Sequence, residues 1–215
     1  YSPNIMNSAN RILSVGSNRS PYQLKRKFSL NEDICVTPAK LFDSDIVYAA
    51  SISAYGSLPA TQWPSDGTVV DLNVLWLKEE QLNIMHLTEA VGVAYDFVKL
   101  QRGSVKLTDL EYSNDIYGYV SVAGVLPFNE SVPKRLSSIY GSKTKLDSID
   151  EYEALSFTMN NLENKKQSLE QWLTEVIDNK QYRFKLHKNL KKIALKPKSP
   201  NWEIIDVKSK GDLVI

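Results

Sequence analysis

The sequence predicts an α+β protein, with a strand-rich body followed by a helical C-terminal section. Two observations carry this expectation. Short apolar and β-branched runs bounded by Gly, Pro or Asn recur from residue 11 to 126. After Pro127 the texture changes: residues 131–193 are rich in Lys, Glu, Leu and Asn, and Leu169, Trp172, Leu173 and Val176 recur at helical spacing. The expected organisation is an N-terminal arm over 1–10, a body over 11–130 and a helical section over 131–215 packed on the body.

Taken in order, Arg11-Ile-Leu-Ser-Val15 is a short apolar run stopped by Gly16, which reads as a buried strand. Ser20 and Pro21 then offer a helix cap and a first helical residue, so a short helix is expected from Pro21 to Phe28. Ile46 to Ile52 reads as a second strand, and the turn-rich stretch from Tyr55 to Gly67 separates it from a third, Thr68 to Leu77. Lys78 to Glu89 is composed of good helix formers. Val93 to Gln101 and the strongly apolar Ile116 to Leu126 read as strands around a turn at Gly103. Near the end, Trp202-Glu-Ile-Ile205 and Leu213-Val-Ile215 read as a returning strand.

Composition sets limits on function. The 215 residues carry 26 Lys plus Arg against 25 Asp plus Glu, a net charge of +1 that gives no whole-molecule reason to seek nucleic acid or anionic membrane. With 42% hydrophobic and 24% charged residues the chain is ordinary for a globular protein. A single cysteine, Cys35, forms no internal disulfide, and Cys35, His86 and His187 are too dispersed to suggest zinc. No apolar run approaches the ~20 residues of a membrane-spanning helix. No membrane association, no metal and a cytoplasmic location are therefore expected. The first residues, Tyr1-Ser-Pro-Asn4, hold neither an initiator Met nor an apolar signal core, so targeting is not read from them.

Three local features could carry chemistry. Gly16-Ser17-Asn18, between a strand and a helix, can aim successive backbone N–H groups at an anion or a polarised carbonyl; the plainer reading is an ordinary turn. In the helix from Lys78, Met85, His86 and Glu89 follow Leu82 on one face, so an apolar stripe ends in a carboxylate suited to acid/base work. The alternative for Glu89 is a frayed helix end open to water. Glu79 and Glu80 read as solvated residues of the first turn, and His86 as a hydrogen-bonded structural histidine. Residues 180–198 hold Lys and Arg without any acidic residue, yet aromatic residues are few, so packing against acidic helices explains the strip as well as nucleic-acid binding does. His187 falls in this strip and reads as part of a solvated face.

The order of these features resembles that of a known family. Ile12-Leu-Ser-Val-Gly-Ser-Asn-Arg-Ser-Pro-Tyr-Gln-Leu24 resembles the opening strand, Tyr-Gly-Ser-Asn turn and short helix of the gamma-glutamylcyclotransferase-like superfamily. Ala60-Thr-Gln-Trp-Pro-Ser-Asp-Gly-Thr-Val-Val70 is similar to its Ala-Thr, Pro-x-x-Gly and strand signature. Leu77 to Glu89, with Tyr95 beyond, resembles its helix ending in the catalytic Glu and a following Tyr. The resemblance spans about residues 11–126 and implies a small mixed β-barrel with flanking helices.

It also implies a reaction: the substrate's α-amine attacks its own γ-carbonyl, releasing 5-oxoproline and an amine. Glu89 is then the acid/base, Val15, Gly16, Ser17 and Asn18 form the binding turn, and Tyr95 supports or binds substrate, with no cofactor. Val15 stands where the family has Tyr, removing a hydroxyl that contacts substrate. Tyr55-Gly-Ser57 repeats the tripeptide but lies before the Ala-Thr element and reads as a strand-end turn. Two alternatives stand beside this reading. One is a non-catalytic member that binds a ligand or partner through the same fold; the other is different acyl-transfer chemistry in the same cavity.

Overall fold

Side chains of a strand point alternately to opposite faces, and here both faces are covered. The computed structural model describes residues 9–28, 32–108, 114–128, 132–162 and 167–207. Strand β1 (Asn10–Ser14) lies mid-sheet between β3 (Ala60–Leu77) and β6 (Tyr117–Ser121). Its Ile12 enters one apolar cluster and its Leu13 the other. The same division runs through β3, where Val74 and Trp76 face the larger cluster while Leu75 and Leu77 face the smaller.

Helices α1 (Pro21–Lys27) and α2 (Glu79–Thr88) close the smaller cluster with Leu24, Leu82 and Met85. Helices α3 (Glu151–Leu162), α4 (Leu169–Asp178) and α5 (Lys180–Ile193) close the larger one with Leu155, Trp172, Val176, Leu186 and Leu190. Burying each such large apolar side chain contributes about 1.5–3 kcal/mol. The C-terminal helices thus share a core with the strands.

The sheet is mixed and ten-stranded, in the order β10-β4-β6-β1-β3-β2-β7-β9, with β5 beside β2 and β8 beside β3. Here β2 is Cys35–Tyr48, β4 Tyr95–Leu100, β5 Val105–Leu107, β7 Arg135–Leu136, β8 Gly141–Ser142, β9 Ser148–Ile149 and β10 Trp202–Ile204. The β1–β6 and β7–β9 pairs are parallel and the others antiparallel. Among the described residues β10 and β9 end the order without pairing each other, so the sheet is open and the closed barrel implied by the resemblance is not formed. Closure needs edge strands of matched length and stagger. The far edge here is built from the two-residue strands β7 and β9.

Several other expectations are corrected. The stretch from Tyr55 to Gly67 is not all turn, because β3 begins at Ala60 and runs through Pro64-Ser-Asp-Gly67. Its partner β2 begins at Cys35 and ends at Tyr48, so the strand expected at 46–52 is longer and earlier. The register shifts between Phe42 and Ser44, where Asp43 has φ 55 and opposite it Gly67 has φ 77. The Gly67 N–H donates to Asp43 Oδ1 at 2.8 Å, so the turn-like residues make a bulge inside a long hairpin. Residues 132–149 hold short strands rather than helix, and the helical section starts at Glu151. The expected strand over Ile116 to Leu126 stops at Ser121, before the turn at Gly124. The strand expected at Trp202 is β10. Leu213 to Ile215, and all of the N-terminal arm except Ala9 and Asn10, lie outside the described residues.

Candidate active site

Gly16 opens a single 3-10 turn, Gly16–Arg19, directly after β1. Its φ is +59, and a Cβ there would lie 2.9 Å from the Ala60 Cβ of β3. Both facts require glycine, and the close approach seats the turn against the start of β3. Asn18, in that turn, is buried, whereas Ser17 is exposed and its carbonyl accepts from the Ser20 N–H at 3.0 Å. Ser20 occupies the cap position of α1 but makes no side-chain capping bond. Pro21 supplies the first helical residue, and Leu24 and Phe28 hold α1 to the smaller core.

Helix α2 brings the carboxylate. The Lys78 backbone N–H donates to Gln81 Oε1 at 2.9 Å, and Glu79 and Glu80 lie in the first turn, where the helix dipole favours them. Leu82, Met85 and His86 are buried along one face. Glu89 is the C-terminal cap residue, with φ −85 and ψ −4, and its N–H still donates to the Met85 carbonyl at 2.9 Å. The helix therefore holds through Glu89, whose side chain is 11% exposed.

The turn and the carboxylate meet. Asn18 Nδ2 donates to Glu89 Oε1 at 3.1 Å across 71 residues of sequence. Lys27, the last residue of α1, completes the group: its ammonium pairs with Glu89 Oε1, donates to Asn18 Oδ1 at 2.8 Å and lies 3.5 Å from Met85 Sδ. Glu89 is thus charge-paired, not set among apolar groups alone. Sequence reasoning missed Lys27. The available signal was its position three residues after Leu24 and one before Phe28, on the stripe that packs inward.

Two tyrosines lie near enough to the carboxylate to feel its charge. The Tyr95 hydroxyl, from the start of β4, donates to the Ala60 carbonyl at 3.5 Å. Burial, then the Glu89 charge and Tyr55, raise its pKa. Tyr119 of β6 is also raised by burial and by Glu89, and its hydroxyl shares a 2.9 Å hydrogen bond with His86 Nδ1. Tyr119 escaped the sequence reading because it sits mid-strand within an apolar run. Both phenols stay neutral near neutral pH, their hydroxyls engaged with the Ala60 carbonyl and with His86.

Val15 is placed differently, packed against the larger core. Tyr55 is 66% exposed, in a turn fastened by Ser53 and Ser57, and stands near enough to Tyr95 to act on its titration. The buried Ser14 hydroxyl, on the same face of β1 as Ile12, has no hydrogen-bond partner among the described residues.

The histidines fall outside this chemistry. His86 packs edge-on against Phe97 at 4.6 Å, and burial lowers its pKa against a smaller opposing effect of Glu79. His187 is not on a solvated face: its Nε2 lies 2.7 Å from the Ile52 carbonyl, joining α5 to the body, and burial is the main cause of its lowered pKa. In the basic strip, Lys185, Lys188, Lys191 and Lys192 point to solvent while Tyr182, Leu186 and Leu190 are buried, so apolar packing seats α5. Among the described residues no group of three or more His, Cys, Asp or Glu is placed to hold a metal ion. No helix among the described residues is long and apolar enough to cross a membrane.

No family model and no curated protein matches the sequence. Solved structures do. An uncharacterised protein from Homo sapiens is 16% identical, with a TM-score of 0.46 over 93% of this chain and 95% of that one. A gamma-glutamyl cyclotransferase is 15% identical, with a TM-score of 0.44 over 92% and 94%. A yeast gamma-glutamyl cyclotransferase specific to glutathione is 15% identical, with a TM-score of 0.39 over 87% and 98%. The similar structures include gamma-glutamyl cyclotransferases.

Proposed function

We propose that the chain is a gamma-glutamylcyclotransferase-like enzyme that cyclises a small gamma-glutamyl compound to 5-oxoproline and a free amine. The observation that carries the reading is the 3.1 Å hydrogen bond from Asn18 to Glu89, which joins the two separate sequence motifs in one partly buried site. In the reaction, Glu89 takes a proton from the substrate's α-ammonium and the resulting amine attacks the γ-carbonyl; as the γ-carbon–nitrogen bond breaks, the departing nitrogen receives that proton from Glu89, and the second proton of the ring nitrogen passes through Glu89 to the released amine. Nucleophile and electrophile belong to one molecule, so the protein's main task is to fold the substrate into a near-attack conformer.

Backbone N–H groups of Gly16, Ser17 and Asn18 are assigned to the developing oxyanion or the substrate carboxylate, and losing one such donor costs about 3 kcal/mol in comparable sites. Tyr95 is assigned a supporting contact, and Val15 lines the turn without the hydroxyl of the family's Tyr. The reaction requires no cofactor, and the site is assigned to a body over 11–130. Incubating the protein with a panel of gamma-glutamyl amino acids, gamma-glutamyl amines and glutathione, and measuring 5-oxoproline, tests it. Release from at least one compound is expected; no release from any of them refutes the reading.

One observation favours a second reading, a non-catalytic binding member of the same fold. Lys27 already neutralises the carboxylate that the reaction needs. This reading predicts a thermal shift with a gamma-glutamyl ligand and no product.

A further inference from the structure

The carboxylate of Glu89, the amide oxygen of Asn18 and the thioether of Met85 converge on a single ammonium, that of Lys27. An alkylammonium brings three donors and no acceptor, and these three acceptors complement it. The pair is enclosed, with 14% of the Lys27 side chain and 11% of the Glu89 side chain exposed. Lys27 reaches this cage from the end of α1, while the helix is anchored by Leu24 and by Phe28 beyond it. The lysine head is therefore not what holds the helix in place.

We propose that Lys27 is a built-in occupant of an ammonium subsite, closing it to simple alkylammonium ions and yielding only to a ligand that gains further contacts. This rests on the reading of Glu89 as the group that receives the substrate ammonium. Glu89 Oε1 already accepts from both Asn18 and Lys27, and Lys27 also holds Asn18 Oδ1, so a ligand's ammonium that takes this same position displaces Lys27. The four-carbon stem lets the head swing into water while the methylenes stay against the protein. A simple amine gains only what the lysine loses. A gamma-glutamyl compound also carries a carboxylate and a carbonyl, which the backbone of the Gly16–Asn18 turn can engage. Lys27 thus sets selectivity for amino-carboxylates over amines.

The test removes the occupant. Lys27→Ala deletes the three carbons and the ammonium that n-propylammonium replaces. Thermal unfolding is followed with n-propylammonium chloride, against tetramethylammonium chloride (which lacks N–H donors) at matched ionic strength. The expected result is stabilisation of Lys27→Ala by n-propylammonium alone, with no such response in the unsubstituted protein. Equal responses of the two proteins, or no response of the variant, overturn the proposal. Should Lys27→Ala not fold, Lys27→Gln keeps a polar head in the cage, and it is expected to bind a gamma-glutamyl compound at least ~10-fold more tightly, the scale of one charge-assisted hydrogen bond. Unchanged or weaker binding overturns the proposal on that arm. Rescue by n-propylammonium is independent of turnover, so rescue without 5-oxoproline formation leaves the subsite standing and refutes only the catalytic reading.

Discussion

Asp45 and Arg135 meet with 0% and 9% of their side chains exposed, whereas Lys27 and Glu89 keep 14% and 11%. The surroundings differ more than these exposures. Arg135 Nε reaches both Asp45 oxygens at 3.2 Å and its terminal nitrogen donates to the Ile139 carbonyl at 2.6 Å, while the Ile46 N–H donates to Asp45 at 2.8 Å. Burial raises the Asp45 pKa, opposed by the Ile46 N–H and Arg135. A Cβ on Gly141 would lie 2.7 Å from the guanidinium, so backbone is packed around it as well. Among the described residues, Lys27 has an amide oxygen and a thioether beside the carboxylate. The first pair joins the β7 edge to β2. The second joins two helices at a turn, and its cation sits on a flexible stem. An ion pair satisfied on every side holds a fold together; one with a replaceable partner can hold a ligand.

Breaking each pair sharpens this contrast. Arg135→Met strands a buried carboxylate, and a loss of about 3–5 kcal/mol in urea unfolding is expected. A loss below 1 kcal/mol would mean that Asp45 finds water. Gly16→Ala is next, since φ +59 and the approach to Ala60 disfavour any side chain. A loss of about 1–3 kcal/mol is expected, accompanied by lower activity because the turn shifts. Asn18→Ala removes the contact between the motifs and leaves Lys27–Glu89 in place. Stability should change by about 1 kcal/mol, while 5-oxoproline release falls by at least ~10-fold; the reverse pattern would make Asn18 structural.

The smallest effect concerns the histidines. Burial lowers the pKa of both His86 and His187 from 6.5, so the unfolded chain binds more protons than the folded one as pH falls below that value. The histidine contribution to stability is therefore complete above about pH 6.5 and lost as pH falls through the lowered folded-state values. His187→Gln keeps a donor for the Ile52 carbonyl without a titrating ring. Its melting temperature should fall less than that of the unsubstituted protein between pH 7 and pH 5, and parallel falls would exclude His187 as a contributor.

How far the sequence could be read follows the range of each interaction. β1, α1, α2 and β4 carry their signals within a few residues, in apolar periodicity, Pro21 at a helix start and Gly16 at a turn. Asn18 and Glu89 were legible because each ends a local motif. The first half of β2 was not, since Thr37, Ala39 and Leu41 alternate inward among Pro38, Lys40 and other residues that do not look like a strand core. Pro64 to Gly67 carried turn chemistry that the fold uses as a bulge. Two-residue strands such as β7 have no period to detect. Arg135 finds Asp45 across 90 residues, and Lys27 finds Glu89 across 62, so both pairs exist only in three dimensions.

Glu89→Gln is the decisive variant, because it keeps the shape of the side chain and removes the base. With a gamma-glutamyl compound that the unsubstituted protein turns over, and with folding verified by thermal unfolding, 5-oxoproline release should fall by at least ~10²-fold. Release at the rate of the unsubstituted protein would contradict the assignment of Glu89 as the acid/base.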